Sequence, residues 1–186
     1  MQAMKLRLPL KLQDITTLRT GDSVLLSGTL LTARDASNRR IVESLKSGKK
    51  LPFTLKGQTI YYMGPTPARP GEIFGSAGPT TSARMDVYTP MLLKAGVKCM
   101  IGKGKRSEAV REAMQKHNAI YLAVVGGAGA LIAKTIKQAR LVAFEDLGAE
   151  AVHELEVEAL PAVVINDIRD GDLYTEGKKQ YRKIGR

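Results

Sequence analysis

The sequence contains one cysteine, Cys99, and only two histidines, His117 and His153. A lone thiol closes no intrachain disulfide, and it cannot by itself hold an iron–sulfur cluster, which is bound by several thiolates. Two histidines beside it leave a self-contained zinc site without its usual ligand set. Cys99 sits in the apolar stretch "VKCMI" and is read as a buried core thiol. Tryptophan is absent and aromatics make up 5% of the chain. That is too little to interleave stacking rings among basic residues, as single-strand nucleic-acid binders do, and no helix-turn-helix or RNA-binding signature stands out. The longest uncharged run, "NAIYLAVVGGAGALIA", has glycines at its middle. It falls short of the roughly 20 residues of a membrane span. The opening "MQAMKLRLPLKLQD" puts charges and a proline where a secretory signal needs an unbroken apolar run, so the cytoplasm is the expected compartment.

What is present suits one soluble domain with a substantial core: 186 residues, 44% hydrophobic and 25% charged. The formal charge of +11 makes an anionic partner one to consider. Part of it lies in the tail "KKQYRKIGR", with Lys178, Lys179, Arg182, Lys183 and Arg186. Subtracting those five leaves +6 on the body. Residues 172–186 are expected to be a solvated or partner-docking basic tail, and residues 1–20 an N-terminal arm.

Along the chain, "DSVLLSGTLLTARD" reads as β-structure with a bend at Gly28. "ASNRRIVESLKSG" reads as a helix with Ile41, Val42 and Leu45 at core spacing and Gly48 as its stop. "TIYYMG" is a short strand closed by turn signals. Next, "GPTTSARMDVYT" and "PMLLKAG" are predicted helices, the second with Thr89 as N-cap and Pro90 at its first position. "VKCMIGKG", "AIYLAVVGG", "RLVAFED" and "VHELEVEALPAVVIND" supply strands. Between them lie helices "SEAVREAMQKHN", capped by Ser107, and "AGALIAKTIKQA". Strand, glycine turn and helix in alternation predict an α/β domain with βα crossovers and a parallel or mixed sheet, its N-terminal part rich in β-structure.

The corners of this pattern carry the chemistry. In "GPTTSARMD", Pro79 suits a helix start and Thr80 or Thr81 can cap it. A helix N-terminus holds anions, and Arg84, four residues beyond Thr80, brings a guanidinium shaped for carboxylate or phosphate to the same face. A capped helix with a surface arginine explains the same residues. "IGKGKR" sets Lys103 between glycines without the spacing of a Walker loop. "VVGGAGAL" has Gly127 and Gly129 but Ile132 at the third glycine position of a dinucleotide turn, so close helix–strand packing is its favoured role. Ligands of open α/β sheets sit outside the carboxyl ends of the strands. Parallel neighbours would gather Thr80, Arg84 and Lys103 there, and Arg34 of "LLTARD" would join them. Three cations and a hydroxyl suit a small dicarboxylate better than a nucleotide. No Ser–His–Asp set accompanies them, so the chain can hold a substrate without completing a reaction.

The stretches "SGTLLTARDASNRR", "GPTTSARMDVYTPMLLKAGVKCMIGKG", "VVGGAGALIA" and "LEVEALPAVVIND" resemble, in that order, the β subunit of two-subunit iron–sulfur fumarate hydratase. They are also similar to the C-terminal domain of its single-chain relatives and to the β subunit of L-tartrate dehydratase. The resemblance spans about residues 20–170. It implies a single domain of the swivelling β/β/α fold and a hydro-lyase that works only with an α subunit. That partner carries a [4Fe–4S] cluster on three cysteines, which accounts for their absence here; no metal is expected on this chain.

By the same resemblance, Arg34, Arg84 and Lys103 grip substrate carboxylates, Thr80 takes the carbon-bound proton as base, and Thr81 assists by hydrogen bonding. The implied substrate is fumarate or malate, with tartrate or another hydroxy-dicarboxylate as the alternative and a higher heteromer as the assembly. One departure is visible: Ser37 and Asn38 stand where the family usually shows alanine and histidine, which leaves a substrate other than fumarate open. From the charge alone, a non-catalytic module binding anions or nucleic acid is the reading of another class.

Overall fold

The computed structural model describes residues 3–182. Strands β1 (Met4–Leu8), β2 (Ser23–Thr32), β3 (Thr59–Tyr61), β4 (Cys99–Gly102) and β5 (Ile120–Ala123) lie side by side in chain order, each parallel to the last. β6 (Ile136–Ala143) pairs antiparallel with β7 (Val152–Asn166), and β7 runs antiparallel to β5 and to β2 as well. The long β7 therefore closes the pairings β2–β3–β4–β5–β7 into a ring, with β1 and β6 outside it.

The period-2 alternation of side chains makes two apolar layers from these strands. Tyr61, Ile101, Leu122 and Val164 join Leu26, Leu30 and Leu155 in one core. Their neighbours Ile60, Met100, Tyr121 and Ile165 belong to a second core. There they meet Ile41 and Val42 of α2 (Asp35–Lys46), Leu92 of α3 (Thr89–Lys94), and Val110 and Met114 of α4 (Glu108–His117). These are the helices that connect the parallel strands, and each buries residues at helical spacing. The result is a mixed α/β domain compatible with a β/β/α architecture.

Gly28 marks the bend expected in β2. Its φ is +120°, the β2–β7 register shifts between Leu26 and Gly28, and a Cβ there would stand 2.4 Å from the Leu8 carbonyl oxygen. That close approach brings the Leu8 backbone against Gly28 at the end of the β1–β2 ladder.

Several sequence expectations change. Of the expected N-terminal arm, residues 3–20 contain β1 and α1 (Leu12–Thr17), and Leu8, Leu10, Ile15 and Leu18 are buried in the first core, so these residues are built into the domain. The helix expected over "AGALIAKTIKQA" stops early: α5 spans Gly129–Ala133, and β6 begins at Ile136. The β-ladder to β7 overrides the helical pattern of that stretch. In the basic tail, α6 (Leu173–Tyr181) carries Lys178 and Lys179, while Lys183 and Arg186 lie outside the described residues. Thr89 is the first residue of α3 rather than its cap; its Oγ1 donates to the Met85 carbonyl over 2.8 Å. Ser107 does precede α4, without a capping hydrogen bond from its side chain. Among the described residues, no helix is long and apolar enough to cross a membrane.

Candidate active site

Because β2 to β5 are parallel, their carboxyl ends share one edge of the sheet, and the loops leaving them carry the motif residues. Arg34 follows β2 and flanks the N-terminus of α2. Lys103 follows β4. The segment 79–82 inserts between the ends of β3 and β4. Pro79 bridges Met63, Thr80 N donates to Tyr62 O over 2.7 Å, Thr81 pairs with Lys103, and Ser82 N donates to Lys103 O over 2.9 Å.

The helix expected from Pro79 is therefore absent. Only a 3-10 turn forms, Ser82–Met85, and neither threonine hydroxyl caps it. Thr80 lies before that turn in an extended stretch, so it does not share a helix face with Arg84. The amides of Thr80 and Ser82 are occupied by strand-like bonds, because pairing with β3 and β4 satisfies more backbone groups than a short helix would. A ligand here relies on side-chain cations and hydroxyls, not on a helix dipole.

Arg34 lies across Gly64: a Cβ at Gly64 would stand 2.7 Å from both its Cδ and its Nη1. Its Nη2 is 3.5 Å from Glu150 Oε1, while Glu150 Oε2 accepts from Ala36 N over 2.6 Å. Arg34 Nε is buried with no hydrogen-bond partner among the described residues. Arg84 donates from Nε to Asp35 Oδ1 over 2.9 Å. Lys103 is exposed and extends over the turn after β5, where a Cβ at Gly126 would stand 3.8 Å from its Nζ. Thr80 is half-buried and Thr81 exposed. The backbone thus joins Thr80, Thr81 and Lys103 directly. Arg34 and Arg84 reach the same edge through adjacent partners, Gly64 beyond β3 and Asp35 beside Arg34. Gly129 holds the approach to this corner: its carbonyl accepts from Ala77 N, and a Cβ there would stand 2.2 Å from Ser76 Oγ. Close packing is thus the role of Gly129, against the 76–78 segment, whereas Gly127 has a φ of +83° and nothing within 4 Å of a Cβ there.

Sequence reasoning missed the groups behind the corner. Glu150 and Asp35 face the arginines from a distant loop and an adjacent position. Ser82 and Tyr121 are fully buried polar neighbours of Lys103, and the Arg106 guanidinium is enclosed between the Tyr62 and Tyr121 rings, 5.2 and 5.0 Å from their centroids. Arg106 donates to Asp86 Oδ1 over 2.8 Å and to Thr89 Oγ1 over 2.7 Å, so its charge is paired where water is excluded. Burial pushes the Tyr121 phenol well up, and it stays a neutral donor. These contacts join residues far apart in sequence, and only the local "TTSAR" and "IGKG" spacings were legible.

Residues 1–177 match the Fumarase C-terminus family. The chain belongs to that family. It is 40% identical to fumarate hydratase 2 of Leishmania major over 88% of its own length, and 39% identical to the anaerobic class I fumarate hydratase of Escherichia coli over 81%. It spans only 29% and 28% of those two proteins. A putative L(+)-tartrate dehydratase subunit beta of Methanocaldococcus jannaschii is 38% identical over 92% of both chains. The resemblance carried by the four motif-bearing stretches is therefore one of shared family.

Proposed function

We propose that this chain is the β subunit of a [4Fe–4S] hydro-lyase that adds water to, or removes it from, a small dicarboxylate, with fumarate and malate as the leading pair. The observation that carries this reading is the gathering of Arg34, Thr80, Arg84 and Lys103 around the carboxyl ends of β2 to β4, in a family whose named members include fumarate hydratases. Arg34 and Arg84 supply planar donors for carboxylates, and Lys103 an exposed ammonium. Loss of a proton from the carbon next to a carboxylate moves negative charge onto that carboxylate. Fixed cations stabilise this charge best once a partner covers the edge and excludes water. Thr80 accepts the proton in this scheme, and the surrounding cations must lower its hydroxyl pKa for it to do so. Thr81 donates a supporting hydrogen bond.

The cluster does not fit this chain. Its single thiol, Cys99, is buried in β4, and among the described residues no three His, Cys, Asp or Glu side chains are grouped to hold a metal. The cluster cysteines, and with them the departure of the hydroxyl, belong to an α subunit in this reading. The test is co-expression with a cysteine-bearing partner and anaerobic assay on malate, fumarate, tartrate and mesaconate. Turnover of one of these by the complex alone, lost on Arg84→Ala with the fold intact, is the expected result. Malate dehydration by the isolated, iron-free chain would sink it.

A second reading, the β subunit of an L-tartrate dehydratase, is favoured by Asn38. This residue is buried, its Nδ2 donates to Arg34 O over 2.8 Å, and its Oδ1 has no partner among the described residues. A second substrate hydroxyl would suit such an acceptor. Preference for tartrate over malate in the same assay would select this reading.

A further inference from the structure

A closed circuit of hydrogen bonds lies directly behind the corner. Lys103 N donates to Ser82 Oγ over 3.1 Å, Ser82 Oγ and Tyr121 Oη are 2.9 Å apart, and Tyr121 Oη donates to Gly104 O over 3.0 Å. Each hydroxyl has one proton to give. With Tyr121 committed to Gly104 O, Ser82 must donate to Tyr121, and it keeps a lone pair for Lys103 N. Every bond of the circuit is then satisfied in a single direction, and Ser82 N to Lys103 O adds a return link. The loop is also held from its far side, where Gly104 N donates to Tyr174 Oη of α6 over 3.1 Å.

Two features fix the circuit in place. Ser82 reaches Lys103 only because residue 102 is glycine: a Cβ there would stand 2.0 Å from Ser82 Oγ. Tyr121 cannot swing away, because its ring packs in the second core under the Arg106 guanidinium, and Arg106 is itself anchored to Asp86 and Thr89. Asp86 in turn accepts from Ser107 N over 2.6 Å at the start of α4. The two loops that meet at the candidate site, 79–86 and 102–107, are thus fastened to each other mainly through the buried groups Ser82, Tyr121 and Arg106.

We propose that Tyr121 and Ser82 are positioning residues that hold Lys103 and the Thr80–Thr81 pair in one register for the substrate. This rests on the reading of that corner as a dicarboxylate site. A buried circuit that only stabilised the fold would, on losing a bond, lower the melting temperature and leave turnover of the folded fraction unchanged. A positioning circuit acts on the reaction, because displacement of a binding group by about 1 Å costs as much as two orders of magnitude in rate.

The test compares wild type, Tyr121→Phe, Ser82→Ala and the double variant, each as the full chain and as the complex with its cluster-bearing partner. Tyr121→Phe keeps the ring and its stacking on Arg106, and Ser82→Ala is a second route to the same break if the first fails to fold. Each single variant is expected to lower kcat about tenfold or more with a Tm fall of only a few degrees. The double variant is expected to be no slower than either single variant, since all three cut one circuit. Amide exchange of Lys103 in the full chain should quicken in every variant. Wild-type kcat in both single variants, or losses that multiply in the double, would overturn the proposal. If the wild-type complex turns over none of the four acids, the dicarboxylate reading fails instead, and the amide exchange of Lys103 still decides whether the circuit holds the loop.

Discussion

Arg84 points its Nε at Asp35 Oδ1, 2.9 Å away, and so links the turn after Thr81 to the first residue of α2. The bond uses one edge of the guanidinium and leaves the Nη pair for a ligand carboxylate. It also places Arg84 beside the residue that follows Arg34, although the two arginines lie on separate connections.

Asp35→Ala should therefore loosen Arg84 without unfolding the chain. The Arg84 side chain is 53% exposed, and an exposed ion pair contributes roughly 0–1 kcal/mol, so the melting temperature should hardly move. In the proposed two-subunit hydro-lyase, KM for the dicarboxylate should rise several-fold, since a ground-state binding group has lost its orientation. An unchanged KM at unchanged stability would mean that Arg84 needs no help from Asp35.

Two glycines make opposite predictions. A Cβ at Gly102 meets Ser82 Oγ at 2.0 Å, and the neighbouring Tyr62 ring, 3.1 Å away, leaves no room to retreat. Overpacking of this kind costs about 1–3 kcal/mol, so Gly102→Ala should lower both Tm and activity. Gly177 lies within α6 without a positive φ, and nothing stands within 4 Å of the place its Cβ would take. Gly177→Ala should raise stability by about 0.5–1 kcal/mol through helix propensity alone. Thermal melts of the two variants that shifted in the same direction would contradict this account.

The sequence made the local part of this structure legible. Strand ends at glycine turns, the helix with Ile41 and Val42 inside, the bend at Gly28 and the close packing at Gly129 all follow from spacing and residue type. The failures share one cause. "GPTTSARMD" has a strong helix-start signature, yet Thr80 and Ser82 are claimed by Tyr62 and Lys103, from strands whose register no local pattern reveals. "KTIKQA" keeps helical spacing, but β7 offers it a ladder. The site was readable as a set of cations; what positions them, Tyr121 and Asp35, was not, because those contacts span 39 and 49 residues.

Cys99 gives a prediction about reactivity. Its thiol is buried in β4, and burial pushes its pKa up to about 12, against a lowering contact with Thr59. Only the thiolate is nucleophilic. The native chain should resist alkylating reagents near neutral pH, and labelling should appear with unfolding in urea. Rapid labelling of the folded chain would show that β4 opens far more readily than its packing implies.

Asp167 should govern much of the acid response. Desolvation opposes its charge, but its two oxygens accept from Thr20 N, Thr20 Oγ1, Arg169 N and Gly171 N, and these bonds win, holding its pKa below the usual carboxylate range. The folded state therefore binds this proton less readily than the unfolded state. Its contribution to stability is complete above the unfolded pKa of about 3.9 and is lost as pH falls through the lower folded value. Asp167→Asn replaces one accepting oxygen by a donor facing Thr20, which should cost about 1.5–3 kcal/mol at pH 7. Because the variant has no carboxylate there to protonate, its urea midpoint should also fall less steeply than that of wild type from pH 5 downward. The two curves should converge once the pH lies below the lowered folded value, and curves that stay parallel throughout the acid range would show that other carboxylates set the acid limb.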